Sequence, residues 1–84
     1  MQKVKEFEIV EVASAIHPRR RLIVLRRDDG HYTFAEQYFF VSKYGGEIIA
    51  EGWRTLPPSG IYATAEIAEA EGRAAFRDWY RLPD

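Results

Sequence analysis

"HYTFAEQYFFV", residues 31–41, is the stretch on which the fold turns. It carries five aromatic side chains in eleven residues. Successive side chains of a strand point to opposite faces, so Tyr32, Phe34, Tyr38 and Phe40 share one face. Phe39 falls on the other, with Ala35 and Val41. A strand with large rings on both faces belongs at the centre of a sheet, and each face then needs cover.

Working outward, the preceding run "RLIVLRR" (21–27) is β-rich and stops at "DDG" (28–30). That tripeptide fits a three-residue hairpin loop, a type I turn closed by a left-handed glycine. On the other side, "KYGGE" (43–47) reverses the chain into a further strand, "EIIAEGWR" (47–54). Upstream, "VKEFEIVEV" (4–12) reads as a strand, and "ASAIHPRR" (13–20) breaks it, because Pro18 holds His17 extended. Downstream, "TLPPSGIYA" (55–63) reads as a linker, since adjacent prolines remove ladder donors.

The last element is a helix. Thr64 stands as its N-cap, Glu66 in the first turn suits the positive end of the helix dipole, and Pro83 closes it. Ala65, Ala68, Gly72, Ala75, Phe76 and Trp79 fall on one side at spacings of three and four. Small residues early and large ones late suit a helix that lies close to a sheet at one end and wedges against it at the other. Glu69 precedes Arg73 by four residues, the favourable order for a surface pair.

The expected fold is therefore α+β: an antiparallel β-meander of three to four strands with one C-terminal α-helix packed on one face. Residues 1–84 form a single domain, divided into an N-terminal strand and loop (1–20), the meander (21–54), a linker (55–63) and the helix (64–82). Of the composition, 46% is hydrophobic and 14% aromatic, enough apolar area for one core. Net charge is −1, which supplies no global field toward nucleic acid or anionic lipid. There is no cysteine, no signal-peptide pattern and no membrane-length apolar run, which together point to a cytoplasmic protein.

If Arg27 and His31 close the first hairpin, Leu25 pairs with Thr33, Ile23 with Ala35, Val24 with Phe34 and Leu22 with Glu36. If Lys43 and Glu47 close the second, Phe39 faces Glu51, Tyr38 faces Gly52, Phe40 faces Ala50 and Glu36 faces Arg54. One sheet face then carries Ile23, Leu25, Thr33, Ala35, Phe39, Val41, Ile49 and Trp53, and its aliphatic character suits the alanine-rich helix. The other carries Leu22, Val24, Arg26, Tyr32, Phe34, Glu36, Tyr38, Phe40, Ala50 and Arg54. One helix shields one face. The second is covered by residues 1–20 and 55–63, altered by a bulge at Tyr38–Phe40, or open to a partner.

The candidate binding residues are Arg26, Tyr32, Phe34, Glu36, Tyr38, Phe40 and Arg54, because aromatic and arginine side chains are enriched where proteins meet. A protein or a second copy of this chain is the expected partner. Nucleic acid is the alternative, gripped through Arg19, Arg20, Arg21, Arg26 and Arg27, with Arg73, Arg77 and Arg81 as a further stripe. Thirteen acidic residues oppose it.

No catalytic constellation emerges. Ser14, Ser42 and Ser59 lack a nucleophile-elbow setting, and Gly45-Gly46 lacks the following helix of a phosphate cradle. His31 beside Asp28 and Asp29 has no second histidine at ligand spacing. Neither cofactor nor metal is expected.

The order of three antiparallel strands and one helix, entered through the threonine of "YATAEIAEAEG", resembles the arm-binding domains of phage-type integrases and the related plant ethylene-response domains. The resemblance covers residues 21–82 and rests on layout. It implies a sheet that enters the DNA major groove with basic residues on its strands, here Arg26, Arg27 and Arg54, among which Glu36, Glu47 and Glu51 are interspersed. The same order is similar to that of small bacterial domains with no assigned function.

Overall fold

A computed structural model describes residues 1–12 and 16–81. The elements are β1 (Gln2–Glu6), β2 (Val10–Glu11), β3 (Arg19–Arg26), β4 (Tyr32–Tyr44), β5 (Glu47–Thr55), β6 (Ser59–Tyr62) and α1 (Ala65–Tyr80). The class is α+β, with a curled antiparallel sheet and one C-terminal helix. The strand count exceeds the expected three to four for a simple reason. β1 and β2 both run along β3, and β5 and β6 both run along β4, so four strand positions hold six strands. The expected strand 4–12 is thus two pieces, and the expected linker 55–63 contains β6. Pro57 and Pro58 interrupt the edge only between β5 and β6; beyond them Tyr62 pairs with Tyr32 and Ser59 with Phe34.

The first hairpin has the expected register, Leu25 opposite Thr33 through Leu22 opposite Glu36. Arg27 N–H donates to the His31 carbonyl at 2.7 Å and Gly30 sits at φ 84°, the left-handed closure that "DDG" encodes. The second hairpin departs from expectation. Tyr44 and Glu47 close a two-residue turn at Gly45 (φ 59°) and Gly46 (φ 86°), as primed hairpin turns require. Pairing therefore moves by two residues: Tyr38 lies opposite Arg54, Phe39 opposite Trp53 and Phe40 opposite Gly52. The even shift leaves residues 50–54 of β5 on their expected face, whereas beyond the bulge between Ser42 and Lys43 the shift is one residue, and Glu47 and Ile48 change face. Glu36 is consequently not opposite Arg54.

The helix begins as read, with the Thr64 hydroxyl accepting from Ile67 N–H at 3.1 Å. It ends at Arg81 in the left-handed conformation, whose N–H bonds the Arg77 carbonyl; Pro83 lies outside the described residues. The Glu69–Arg73 pair forms at 3.2 Å, and Lys5 of β1 joins it at 2.8 Å.

The helix lies on the opposite face of the sheet from the one expected. Ala68 is buried, and Gly72 and Phe76 pack on Leu22 and Phe34, the face that also bears Glu36, and not on the aliphatic face of Ile23, Leu25 and Ala35. Volume decides between them. A helix that presents alanine and glycine fills space only against large partners, and Leu22 and Phe34 are large where Thr33 and Ala35 are small. Phe7, Val10, Tyr62 and Tyr80 pack against the same cluster, while Ile23, Leu25 and Ala35 form a separate buried cluster on the opposite face. A Cβ on Gly72 would lie 2.9 Å from the Phe34 ring and 3.1 Å from Leu22. Gly72→Ala should therefore lower stability by about 1 kcal/mol in denaturant unfolding, because overpacking of ~1–3 kcal/mol exceeds the ~1 kcal/mol gained in helix propensity.

Candidate interaction surface

β4 has 13 residues and serves two halves of the sheet. Its first half, Tyr32–Gln37, is flanked by β3 and β6 and has α1 above it, and Thr33 to Gln37 are buried. Its second half pairs only with β5 beyond Tyr38 among the described residues. There the two strands leave the body as a ribbon in which residues 41–51 are exposed. The molecule is accordingly elongated, 47 × 31 × 17 Å.

The candidate binding residues divide between these halves. Phe34 and Glu36 are 4% exposed, sealed under the helix, so the aromatic–arginine face is closed at this end. Arg26 is exposed and Tyr32 half-buried near the first hairpin. Tyr38, Phe40 and Arg54 lie past the end of the helix and stay together: the Arg54 guanidinium sits 4.8 Å from the Phe40 ring centroid, and His17 stacks on Tyr38 at 4.6 Å. Phe40 also folds over Gly52, 3.6 Å from where a Cβ would stand.

Glu36 is the centre of a lock that local sequence pattern did not reveal. Its carboxylate accepts from the Tyr80 hydroxyl at 2.5 Å and from Arg20 at 3.2 Å. Arg20 also donates to the His17 carbonyl at 2.7 Å and lies 5.3 Å from the Tyr38 ring centroid. One buried carboxylate thus ties the last turn of α1 to β3, β4 and the segment before β3. The only signals for it were a glutamate amid apolar strand residues and a tyrosine at the helix end, 44 positions apart.

The opposite face carries a second network. Arg21 bonds Gln37 at 2.7 Å, pairs with Glu6 and stacks 4.0 Å above the Trp53 ring, and Gln37 continues to Thr55 at 2.9 Å. Trp53 meets Phe39 edge-on at 5.3 Å, and Arg19 lies over Phe39. The run Arg19–Arg21 therefore alternates across the sheet rather than forming one basic patch. Arg20 is engaged by Glu36, Arg21 by Glu6 and Gln37, and Arg27 by Asp29. That last contact holds the Asp29 carboxyl below its ordinary range, helped by the His31 N–H. Arg26 and Arg27 border an open polar cleft of about 210 Å³ with Gln2 and Asp28.

Among the described residues there is no group of three or more histidine or acidic side chains placed to hold a metal, and no helix is long and apolar enough to cross a membrane. No protein-family profile, no curated protein and no solved structure matches the chain.

Burial raises the Tyr80 phenol to about 12 from an ordinary 10.0, and the adjacent Glu36 carboxylate adds to the effect. A raised folded-state pKa means that the neutral phenol's contribution is complete below pH 10 and is lost as pH rises through about 12. Tyr80→Phe should lower stability by roughly 1–3 kcal/mol at neutral pH, since the buried carboxylate loses a donor. Compared with wild type, the variant should show a flatter stability profile between those two pH values, measured by unfolding together with tyrosinate absorbance.

Proposed function

We propose that this chain is a small non-enzymatic binding module whose docking element is the far half of the sheet, the β4–β5 ribbon with Tyr38, Phe40 and Arg54 at its root. The observation that carries this reading is apolar exposure where nothing in the described chain packs: Val41 42%, Tyr44 80%, Ile48 56% and Ile49 66%. Val41, Tyr44 and Ile48 lie on strands whose outer edges lack a described neighbour. An open edge with apolar side chains takes an extended polypeptide by strand addition, in which main-chain hydrogen bonds give affinity and alternate side chains give specificity. A cytoplasmic setting fits the absence of cysteine.

Nucleic acid remains the second reading, favoured by exposed Arg19 over Phe39 and by the Arg26–Arg27 cleft. It shares with the integrase-type layout the use of a sheet as the binding element. Against it stand the division of the arginines between faces and their pairing with acids.

Two measurements on one set of proteins separate these readings. Ile48→Asp combined with Ile49→Asp should leave stability within about 0.5 kcal/mol and weaken retention of the dilute chain on a phenyl matrix more than Ile61→Asp combined with Ile9→Asp does, since those two are exposed outside the ribbon. None of these proteins should show salt-sensitive retention on DNA or RNA. Retention on nucleic acid that falls steeply with salt and is lost in Arg19→Ala with Arg26→Ala contradicts the proposal, because phosphate neutralisation carries that signature.

A further inference from the structure

The ribbon's two edges are not equivalent. The outer edge of β5 is flanked by Glu47 and Glu51, charges of the kind that guard a strand against pairing. The outer edge of β4 past Tyr38 reads Phe39-Phe40-Val41-Ser42-Lys43-Tyr44, with one charge. Its hydrogen-bonding direction follows from the body of the sheet. The Glu36 carbonyl accepts from Leu56 on the β5 side, and the His31 carbonyl accepts from Arg27 on the β3 side. Alternation then turns the N–H and C=O of Val41 and Lys43 toward the β3 side, where β3 has already ended. Those four groups have no strand beside them among the described residues. A two-stranded ribbon is also marginal by itself in water, whereas three or more strands with an apolar face are stable.

We propose that the β4 edge of the ribbon pairs antiparallel with the same edge of a second copy, setting Val41 opposite the partner subunit's Lys43 and Ser42 opposite the partner subunit's Ser42 on a two-fold axis. This rests on the protein-docking reading above and names the occupant. The register is selected by elimination. A shift of one residue sets outward-pointing groups against inward-pointing ones and leaves the four unpaired. Moving the axis to Lys43 brings two ammonium groups face to face. Moving it to Val41 requires the edge at Tyr38, which Arg20 of β3 already occupies.

With the axis at Ser42, Val41 and Lys43 exchange both their hydrogen bonds with the partner. Tyr44 then lies across from the partner subunit's Phe40, a favourable aromatic pair. Lys43 comes to lie beside the partner subunit's Val41, one strand from the glutamate that Val41 faces within its own chain, Glu51. The two ribbons become a four-stranded sheet with β5 at each rim, its glutamates outermost. The arrangement is isologous and closes at two copies.

The chain has no cysteine, so single cysteines report the register directly. Ser42→Cys places two sulfurs on the axis, at a non-hydrogen-bonded pair whose Cα separation of ~4.5 Å suits a disulfide. Ala50→Cys, opposite Ser42 on β5, sits one strand further out on each side and is the control. Light scattering of the wild type across a concentration series should show a monomer–dimer equilibrium. Under mild oxidation Ser42→Cys should give a covalent dimer and Ala50→Cys should not. Val41→Lys should weaken the dimer roughly tenfold, since the axis doubles each like-charge pair, while the new lysine faces Glu51 and leaves the monomer at least as stable. A monomer at every concentration overturns the proposal and leaves docking to a different protein standing. A dimer in which Ser42→Cys links no faster than Ala50→Cys overturns this register. Salt-sensitive nucleic-acid retention overturns the docking reading itself.

Discussion

A mismatch of lengths governs this structure. At ~3.4 Å per residue the 13 residues of β4 span about 44 Å, whereas the 16 residues of α1 span about 24 Å. One helix therefore shields only the first half of the strand around which the sheet is built. β3, eight residues long, likewise stops at Arg19. Past Tyr38 the chain keeps its β-rich character with nothing left to pack on it, and the ribbon follows. The accessible apolar surface lies there because the covered half is already closed: Ile23, Val24 and Thr33 are exposed by 1% or less.

The position of the helix depends in turn on Glu36. A buried carboxylate is costly to desolvate, and Arg20 with the Tyr80 hydroxyl offset that cost. The bond from the Tyr80 hydroxyl to Glu36 fixes in one place a helix whose alanines fit loosely in many. Packing agrees, with Gly72 against Phe34 and Phe76 among Leu22, Phe7 and Val10. The arginine run alternates for the same reason: Arg20 serves the helix face, while Arg19 and Arg21 stack on Phe39 and Trp53 behind it.

Local chemistry was legible in the sequence where a short stretch carries the whole constraint. Asp28-Asp29-Gly30 specified its turn and with it the β3–β4 register, and Thr64 specified the helix start. Gly45-Gly46 marks a turn without fixing which residues close it, so the pairing lies two residues away up to the bulge, with the faces kept, and one residue away beyond it, where Glu47 and Ile48 change face. Pro57-Pro58 hid β6, because a break in an edge resembles its end. Apolar character alone points the helix to the face of Ile23 and Leu25, whereas side-chain volume places it on Leu22 and Phe34. The Glu36–Tyr80 contact joins residues 44 positions apart, so no single window shows both partners. Of the candidate site, Tyr38, Phe40 and Arg54 remain accessible together, whereas Phe34 and Glu36 lie sealed under the helix.

The central claim is that a single strand is half core and half exposed ribbon, and residue-resolved amide hydrogen exchange of the dilute chain tests it most directly. The account predicts slow exchange at Thr33, Ala35 and Gln37, whose N–H groups face β3, and rapid exchange at Val41 and Lys43, whose N–H groups face away from β5 with no strand beside them. Equal protection along the whole of β4 in a verified monomer would contradict it.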